Sequence, residues 1–372
     1  MLFFSQTAFT VGLLLLRGAI ARPECTKVIF TVTATAENTV YADLPDPNDS
    51  AAISKYLVNG ITYGPPTNGT VNMTETYDIV GTYCQPSPSA TAHGALQYLV
   101  HGATYNQTVW TGLGLSDEYN WVLSATSQGY HTLTVDSLGH GQNPDRPDPF
   151  SVVQSPLQAE INHQILSDIR DDDENPLQQT FGTIILVSHS YGSSVSVNLL
   201  RSHPTDVEAF VMTGWSTSLS TDATIALDYV PGVDAHPDRL GGLSKGYVTQ
   251  RTEKSRQGGF YAGDFDPSVP PLDYRGADTV GVAEILSLPV GLNPAPEYKG
   301  HVFAVTGDKD VLVCNSDFGQ CDDILNTTGS LFPVAESYQY HAVPETGHDL
   351  SLHHSAPDTV ALVHEWLRDT VL

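Results

Sequence analysis

The sequence predicts a layered α/β protein: a mostly parallel central sheet with helices on both faces, a cap insertion and an N-terminal β-rich extension. Three observations carry this reading. From about Leu96 onward, β-branched runs alternate with stretches of helical period. The runs Leu96 to Val100 and Thr183 to Val187 are almost continuously apolar, as strands covered on both faces are. Between Trp215 and Pro296 the rhythm breaks into Gly/Pro-rich joints and scattered aromatics, which is the composition of an inserted cap.

Taken in order, residues 1–21 read as a secretory signal. An apolar run from Phe9 to Leu16 precedes Ala19-Ile20-Ala21, an A-x-A cleavage pattern that makes Arg22 the first mature residue. The pattern departs from the usual in one respect, since Arg17 follows the apolar run and no basic residue precedes it. A retained signal anchor is the alternative. Residues 22–90 form the β-leaning extension, with Val28, Phe30 and Val32 on one strand and Thr76 to Cys84 on another. Residues 91–214 supply the first part of the core: strands Leu96 to Val100, His131 to Val135, Thr183 to Val187 and Val207 to Met212. Helices Glu118 to Ser127 and Ser193 to Leu200 lie between them, with a stripe at Leu157, Ile161, Ile165 and Ile169. Residues 215–296 are the cap. Residues 297–372 complete the core with strands His301 to Val305 and Tyr338 to Val343 and a helix bearing Val360, Val363, Trp366 and Leu367.

Composition narrows the function. The chain of 372 residues is 40% apolar and carries 42 acidic against 16 basic residues, a formal net charge of -26. Such a surface repels phosphate backbones and anionic headgroups, so nucleic acid and charged membranes are excluded as partners. No stretch approaches the roughly 18 apolar residues a membrane-spanning helix needs, so stable membrane insertion is not expected either. The four cysteines all follow the signal, and their spacing matches no zinc ribbon. Of three possible pairings, Cys314–Cys321 is preferred because a short segment closes a local loop, leaving Cys25–Cys84 to pin the extension. Sequons start at Asn48, Asn68, Asn72, Asn106 and Asn326 and become candidate glycan sites in a secreted chain.

The strongest chemical signal is Ser188-His189-Ser190-Tyr191-Gly192, between an apolar strand and a helix. A strained strand-to-helix turn tolerates only small residues two before and two after its serine, and it lifts that hydroxyl above the sheet. Gly192 fits this demand; Ser188 stands where glycine is usual. A serine hydroxyl needs a base, and the base needs an orienting carboxylate. After strand His301 to Val305, the turn Gly307-Asp308-Lys309-Asp310 offers two acids, of which Asp310 has the better spacing. His348 follows a strand and Gly347 and precedes the last helix; His353, His354 and His364 compete with it. For an oxyanion, one amide donor is that of Tyr191 and the other that of Ala103 in His101-Gly102-Ala103-Thr104, with Thr104 second. Asp136-Ser137-Leu138-Gly139-His140-Gly141 reads as a turn that shapes the fold.

Together these motifs resemble the α/β-hydrolase superfamily in its cap-bearing branch, from about Leu96 to Leu372; the cysteine-pinned extension is similar to that of secreted fungal members. The resemblance implies the α/β-hydrolase fold, a triad of Ser190, Asp310 and His348 working through an acyl-enzyme, and no cofactor or metal. It implies no substrate. The function expected is a secreted serine esterase or lactonase for a fairly apolar or aromatic small molecule. The alternative is an epoxide-opening or cyclising hydrolase of secondary metabolism, although Ser190 stands where epoxide hydrolases carry a carboxylate. A noncatalytic binding protein of the same fold is the reading from another class.

Overall fold

The computed structural model describes residues 22–172, 174–314 and 320–372. The expected signal segment lies outside them. The chain opens with a long antiparallel hairpin, β1 (Cys25–Tyr41) against β2 (Thr67–Cys84), with helix α1 (Ser50–Tyr63) in the connection. β1 buries alternate residues, Val28, Phe30, Val32, Ala34 and Ala36, and leaves Ile29 half exposed. Asp49 caps α1, accepting from the Ala51 and Ala52 amides at 3.0 Å.

The core then alternates: β3 (Ala95–Val100), α2 (Trp121–Ser127), β4 (His131–Val135), α3 (Ser155–Asp171), β5 (Thr183–His189), α4 (Tyr191–Ser202) and β6 (Ala209–Thr213). The helix expected from Glu118 starts at Trp121, because Asn120 caps it through the Leu123 amide at 2.8 Å and residues 117–119 form a separate tight turn. The segment expected as a cap, here called the cap segment, follows as α5 (Thr221–Ala226), β7 (Tyr229–Pro231), α6 (Gly232–Ala235), α7 (Pro237–Leu240), β8 (Tyr247–Gln250), α8 (Glu253–Phe260), α9 (Val269–Gly276), β9 (Val280–Gly281) and α10 (Val282–Ser287). Its three short strands make an antiparallel sheet of their own. The core resumes with β10 (His301–Gly307), α11 (Cys321–Thr328), β11 (Ser337–Val343) and α12 (Ala356–Thr370).

The central sheet runs β1-β2-β4-β3-β5-β6-β10-β11, parallel from β4 to β11. The extension does not stand outside this sheet. β2 pairs antiparallel with β4, from Gly81↔Val135 to Cys84↔Thr132, and so covers what would be an open edge. That register has a consequence for the site. Residues of β2 before Gly81 run past the C-terminal end of β4, so the hairpin carries α1 to the edge of the sheet where ligands bind in open α/β folds. Strand order reverses between β3 and β5, the switch point that opens a crevice at that same edge.

Cys25 and Cys84 are partners in the β1–β2 register and are disulfide-bonded; Cys314 is bonded to Cys321. Among the described residues no helix is long and apolar enough to cross a membrane.

Candidate active site

Ser190 sits between β5 and α4 with φ 53° and ψ -120°, a backbone conformation that L-residues seldom adopt. Two contacts hold it there. Its amide donates to the Thr213 carbonyl of β6 at 2.9 Å, and the first turn of α4 lies against the Val100 and His101 carbonyls at the end of β3. A Cβ on Gly192 would lie 2.5 Å from the His101 carbonyl oxygen, so only glycine lets α4 start this close. Ser188 is accommodated where glycine is usual because its side chain turns inward, its hydroxyl bonding the Ser193 hydroxyl at 3.2 Å.

Three residues far apart in sequence meet over this turn. The Ser190 hydroxyl is 2.8 Å from His348 Nε2, and His348 Nδ1 is 2.8 Å from Asp310 Oδ2. With the carboxylate accepting at Nδ1, the imidazole carries its proton there and leaves Nε2 free to accept from Ser190. Asp310 is fully buried. Burial alone pushes its pKa up, but His348, the Thr306 hydroxyl and the Leu312 amide outweigh it and hold the carboxyl below its ordinary value. Asp308 is placed differently: it receives the Thr346 amide at 3.4 Å and belongs to the turn. Asp222 lies exposed in the first turn of α5.

The competing histidines do not reach Ser190. His353 Nδ1 donates to the Asp349 carbonyl at 2.7 Å, and its Nε2 accepts from the Gly347 amide at 3.1 Å, which braces the loop carrying His348. His364 lies beneath the sheet, bonded to Gln97, with its pKa pushed down to about 3 by burial and then by Arg368. His354 is exposed.

The His101-Gly102-Ala103-Thr104 loop lies beside the serine, since a Cβ on Gly102 would sit 3.0 Å from Ser190 Cβ. His101 fixes this loop, donating through Nδ1 to the Gly102 carbonyl at 2.9 Å and accepting from the Ser137 amide at 3.0 Å. Tyr191 opens α4, where a helix offers its amide no internal acceptor, and the Ala103 amide has no acceptor among the described residues. Both residues line a cavity of about 440 Å³ together with Ser190 and His348. The rest of its wall is mostly apolar, with Trp215, Leu219, Leu227, Phe260, Leu286 and Leu312, and also carries Thr217, Thr221, Thr224 and Tyr229; among the described residues no Asp, Glu, Lys or Arg contributes. This is the size and character of a small-molecule site.

The sequence profile described as "Alpha/beta hydrolase family" matches residues 98–362. This chain belongs to the alpha/beta hydrolase family. No curated protein matches it. Solved structures share the fold: the malate-bound thermophilic esterase from Thermogutta terrifontis at 15% identity and TM-score 0.52, covering 79% of this chain and 94% of that one. The esterase EaEST from Exiguobacterium antarcticum follows at 14% and 0.52, covering 78% and 96%. The bromoperoxidase from Bacillus anthracis stands at 16% and 0.53, covering 79% and 97%. At such identities the likeness is one of fold, and proteins with these different names share it.

Two buried polar groups tie the cap of this alpha/beta hydrolase to its core, and sequence reasoning missed both. Arg256 of α8 makes two bonds to Asp273 of α9, at 2.6 and 2.8 Å, and one to the Thr104 hydroxyl at 2.9 Å. Its guanidinium lies 4.4 Å over the Tyr105 ring, and the Tyr105 hydroxyl reaches both Asp273 and Asp349, the neighbour of His348. The other group pairs His140 Nε2 with Glu284 Oε1 at 2.9 Å, joining the turn after β4 to α10. Glu284 carried a signal in principle, as a lone acid in the apolar run Val280 to Leu286.

Among the described residues, one cluster has metal-ligating composition: His163, His203 and Asp206. The two rings are stacked 3.5 Å apart and 6° from parallel, so their in-plane lone pairs do not converge on a tetrahedral centre. His163 bonds Asp206 at 2.8 Å and His203 bonds Glu160 at 3.0 Å. Two histidine–carboxylate pairs account for the cluster.

Proposed function

We propose that this alpha/beta hydrolase is a secreted serine esterase or lactonase for an uncharged, largely apolar small molecule. The observation that carries the reading is the hydrogen-bonded chain Ser190–His348–Asp310 opening into a cavity to which, among the described residues, no Asp, Glu, Lys or Arg contributes. Ser190 Oγ attacks the ester carbonyl while His348 Nε2 takes its proton, and Asp310 steadies the imidazolium that results. The Ala103 and Tyr191 amides receive the oxyanion, helped by the N-terminus of α4. Collapse expels the alcohol with the proton from His348 and leaves an acyl group on Ser190. Water, deprotonated by the same imidazole, then releases the acid.

The secreted reading is supported by the two disulfides and by four sequon asparagines, Asn48, Asn68, Asn72 and Asn326, that stand exposed. Asn106 fits less well as a glycan site: it is half-buried and its side-chain amide already donates to Asp278 at 3.1 Å. The acidic, uncharged-pocket character favours a neutral substrate over a polyanion. The test is a panel of esters, lactones and epoxides given to the parent enzyme and to Ser190→Ala. Turnover of esters or lactones that falls by several orders of magnitude in the variant is expected. Epoxide turnover that survives in Ser190→Ala would replace this reading with the epoxide-opening one.

A further inference from the structure

The family match begins at residue 98, yet part of the cavity wall comes from far upstream: Gly60, Ile61, Gly64 and Pro65, on and just after α1. α1 is not packed on the central sheet. Its Ile53 and Leu57 are buried in a separate apolar cluster with Phe150, Val248, Val280 and Ile285, most of it cap. Polar bonds reinforce this docking, with the Ser54 hydroxyl donating to the Tyr229 carbonyl at 3.0 Å and Lys245 bonding Ser50 at 2.9 Å. The cap is therefore built from two distant pieces of chain. The hairpin of β1 and β2 holds one of them, α1, above the catalytic edge.

We propose that α1 is a specificity element of this hydrolase, forming the wall against which the long apolar arm of the ester lies. The inference rests on the cavity being the substrate site. Two positions carry it. Ile61 is half-buried and presents the one large aliphatic side chain that α1 contributes to the cavity. Gly60 sets the distance between α1 and α10, since a Cβ there would stand 2.4 Å from Leu286 Cδ2. Leu286 also lines the cavity. A methyl at position 60 displaces the end of that flexible side chain before it displaces the helix, and so reshapes the part of the cavity that Leu286 lines. Among the described residues the wall carries no Asp, Glu, Lys or Arg, so it discriminates by length and bulk, at the modest ratios that apolar pockets give per methylene.

The experiment uses Ile61→Trp and Gly60→Ala in the full-length secreted protein, each also in a Ser190→Ala background. Calorimetric titration of the Ser190→Ala proteins measures association of two pairs of esters, 4-nitrophenyl octanoate against acetate and octyl acetate against methyl acetate. Ile61→Trp is expected to lower the long-to-short ratio at least fivefold in one pair, and Gly60→Ala to lower it about threefold in the same pair. In the active background the same change should reach kcat/KM mainly through KM. Ratios within twofold of the parent's in both pairs, for both variants, overturn the proposal. If the association ratios shift while the parent hydrolyses no ester and takes no fluorophosphonate label, α1 stands as a binding wall and the esterase reading fails instead.

Discussion

Replacing Arg256 with alanine tests how the cap is held to the core. Arg256 and Asp273 have essentially no exposed side-chain surface, at 0% and 1%. Removing the guanidinium leaves the Asp273 carboxylate buried with only the Tyr105 and Tyr261 hydroxyls as donors. Breaking a buried pair in this way costs roughly 3 to 5 kcal/mol. The loss of the stack on Tyr105 and Phe260 adds about 1 kcal/mol, so about 5 kcal/mol is expected. Arg256→Met with Asp273→Leu removes both charges and should cost clearly less than the single change, because no carboxylate is stranded. Urea unfolding of the parent and both variants, read as midpoints at constant slope, makes the comparison. A single variant within about 1 kcal/mol of the parent, or a double variant that costs more than the single, would refute this account of the cap.

Two further outcomes follow from the site and its surroundings. Asp310→Asn should lower kcat on an ester on the order of 10³- to 10⁴-fold, while Asp308→Asn should do far less, as steady-state kinetics of both will show. Acid should destabilise the fold between about pH 6.5 and 4. Burial, followed by neighbouring histidines, pushes His101 and His189 each down to about 4, so in that window the unfolded chain binds more protons than the folded one. Their contribution is whole above the unfolded value of about 6.5 and is lost as pH falls, on the order of 3 kcal/mol each by pH 4. His140 works in the other sense. Burial lowers it, but Glu284 prevails and raises it, so its contribution is present at low pH and lost as pH rises. Unfolding free energies that stay flat or rise from pH 6.5 to 4 would contradict this balance, and His189→Gln should make the slope shallower.

Much of the core was legible because its strands are buried on both faces and read as unbroken β-branched runs; His131–Val135 has the very bounds expected of it. The positions of Ser190, Asp310 and His348 were legible for a related reason, since each falls where a strand ends at a small-residue turn. What escaped detection was pairing and docking. Nothing in Val28 to Val32 says which strand it will join, because an alternating strand specifies a buried face and no partner. α1 left a weak trace in Asp49 as a cap and in Ile53, Leu57 and Ile61 at four-residue spacing, but Gly60 and the β-branched residues lower its intrinsic helix preference. Tertiary contact with the cap decides it. Arg256 and Asp273 illustrate the same limit, since a charged pair 17 residues apart looks like surface until the fold encloses it.

The central claim is that Ser190 is the nucleophile of this alpha/beta hydrolase. A fluorophosphonate reacts only with a serine made nucleophilic by its surroundings, so its site of attachment, read by peptide mass spectrometry, tests the claim most directly. The account predicts one adduct per chain, on the peptide carrying Ser188-His189-Ser190-Tyr191-Gly192, absent from Ser190→Ala and strongly reduced in a His348→Ala variant. An adduct on another residue, or labelling of Ser190→Ala at the parent's rate, would contradict it.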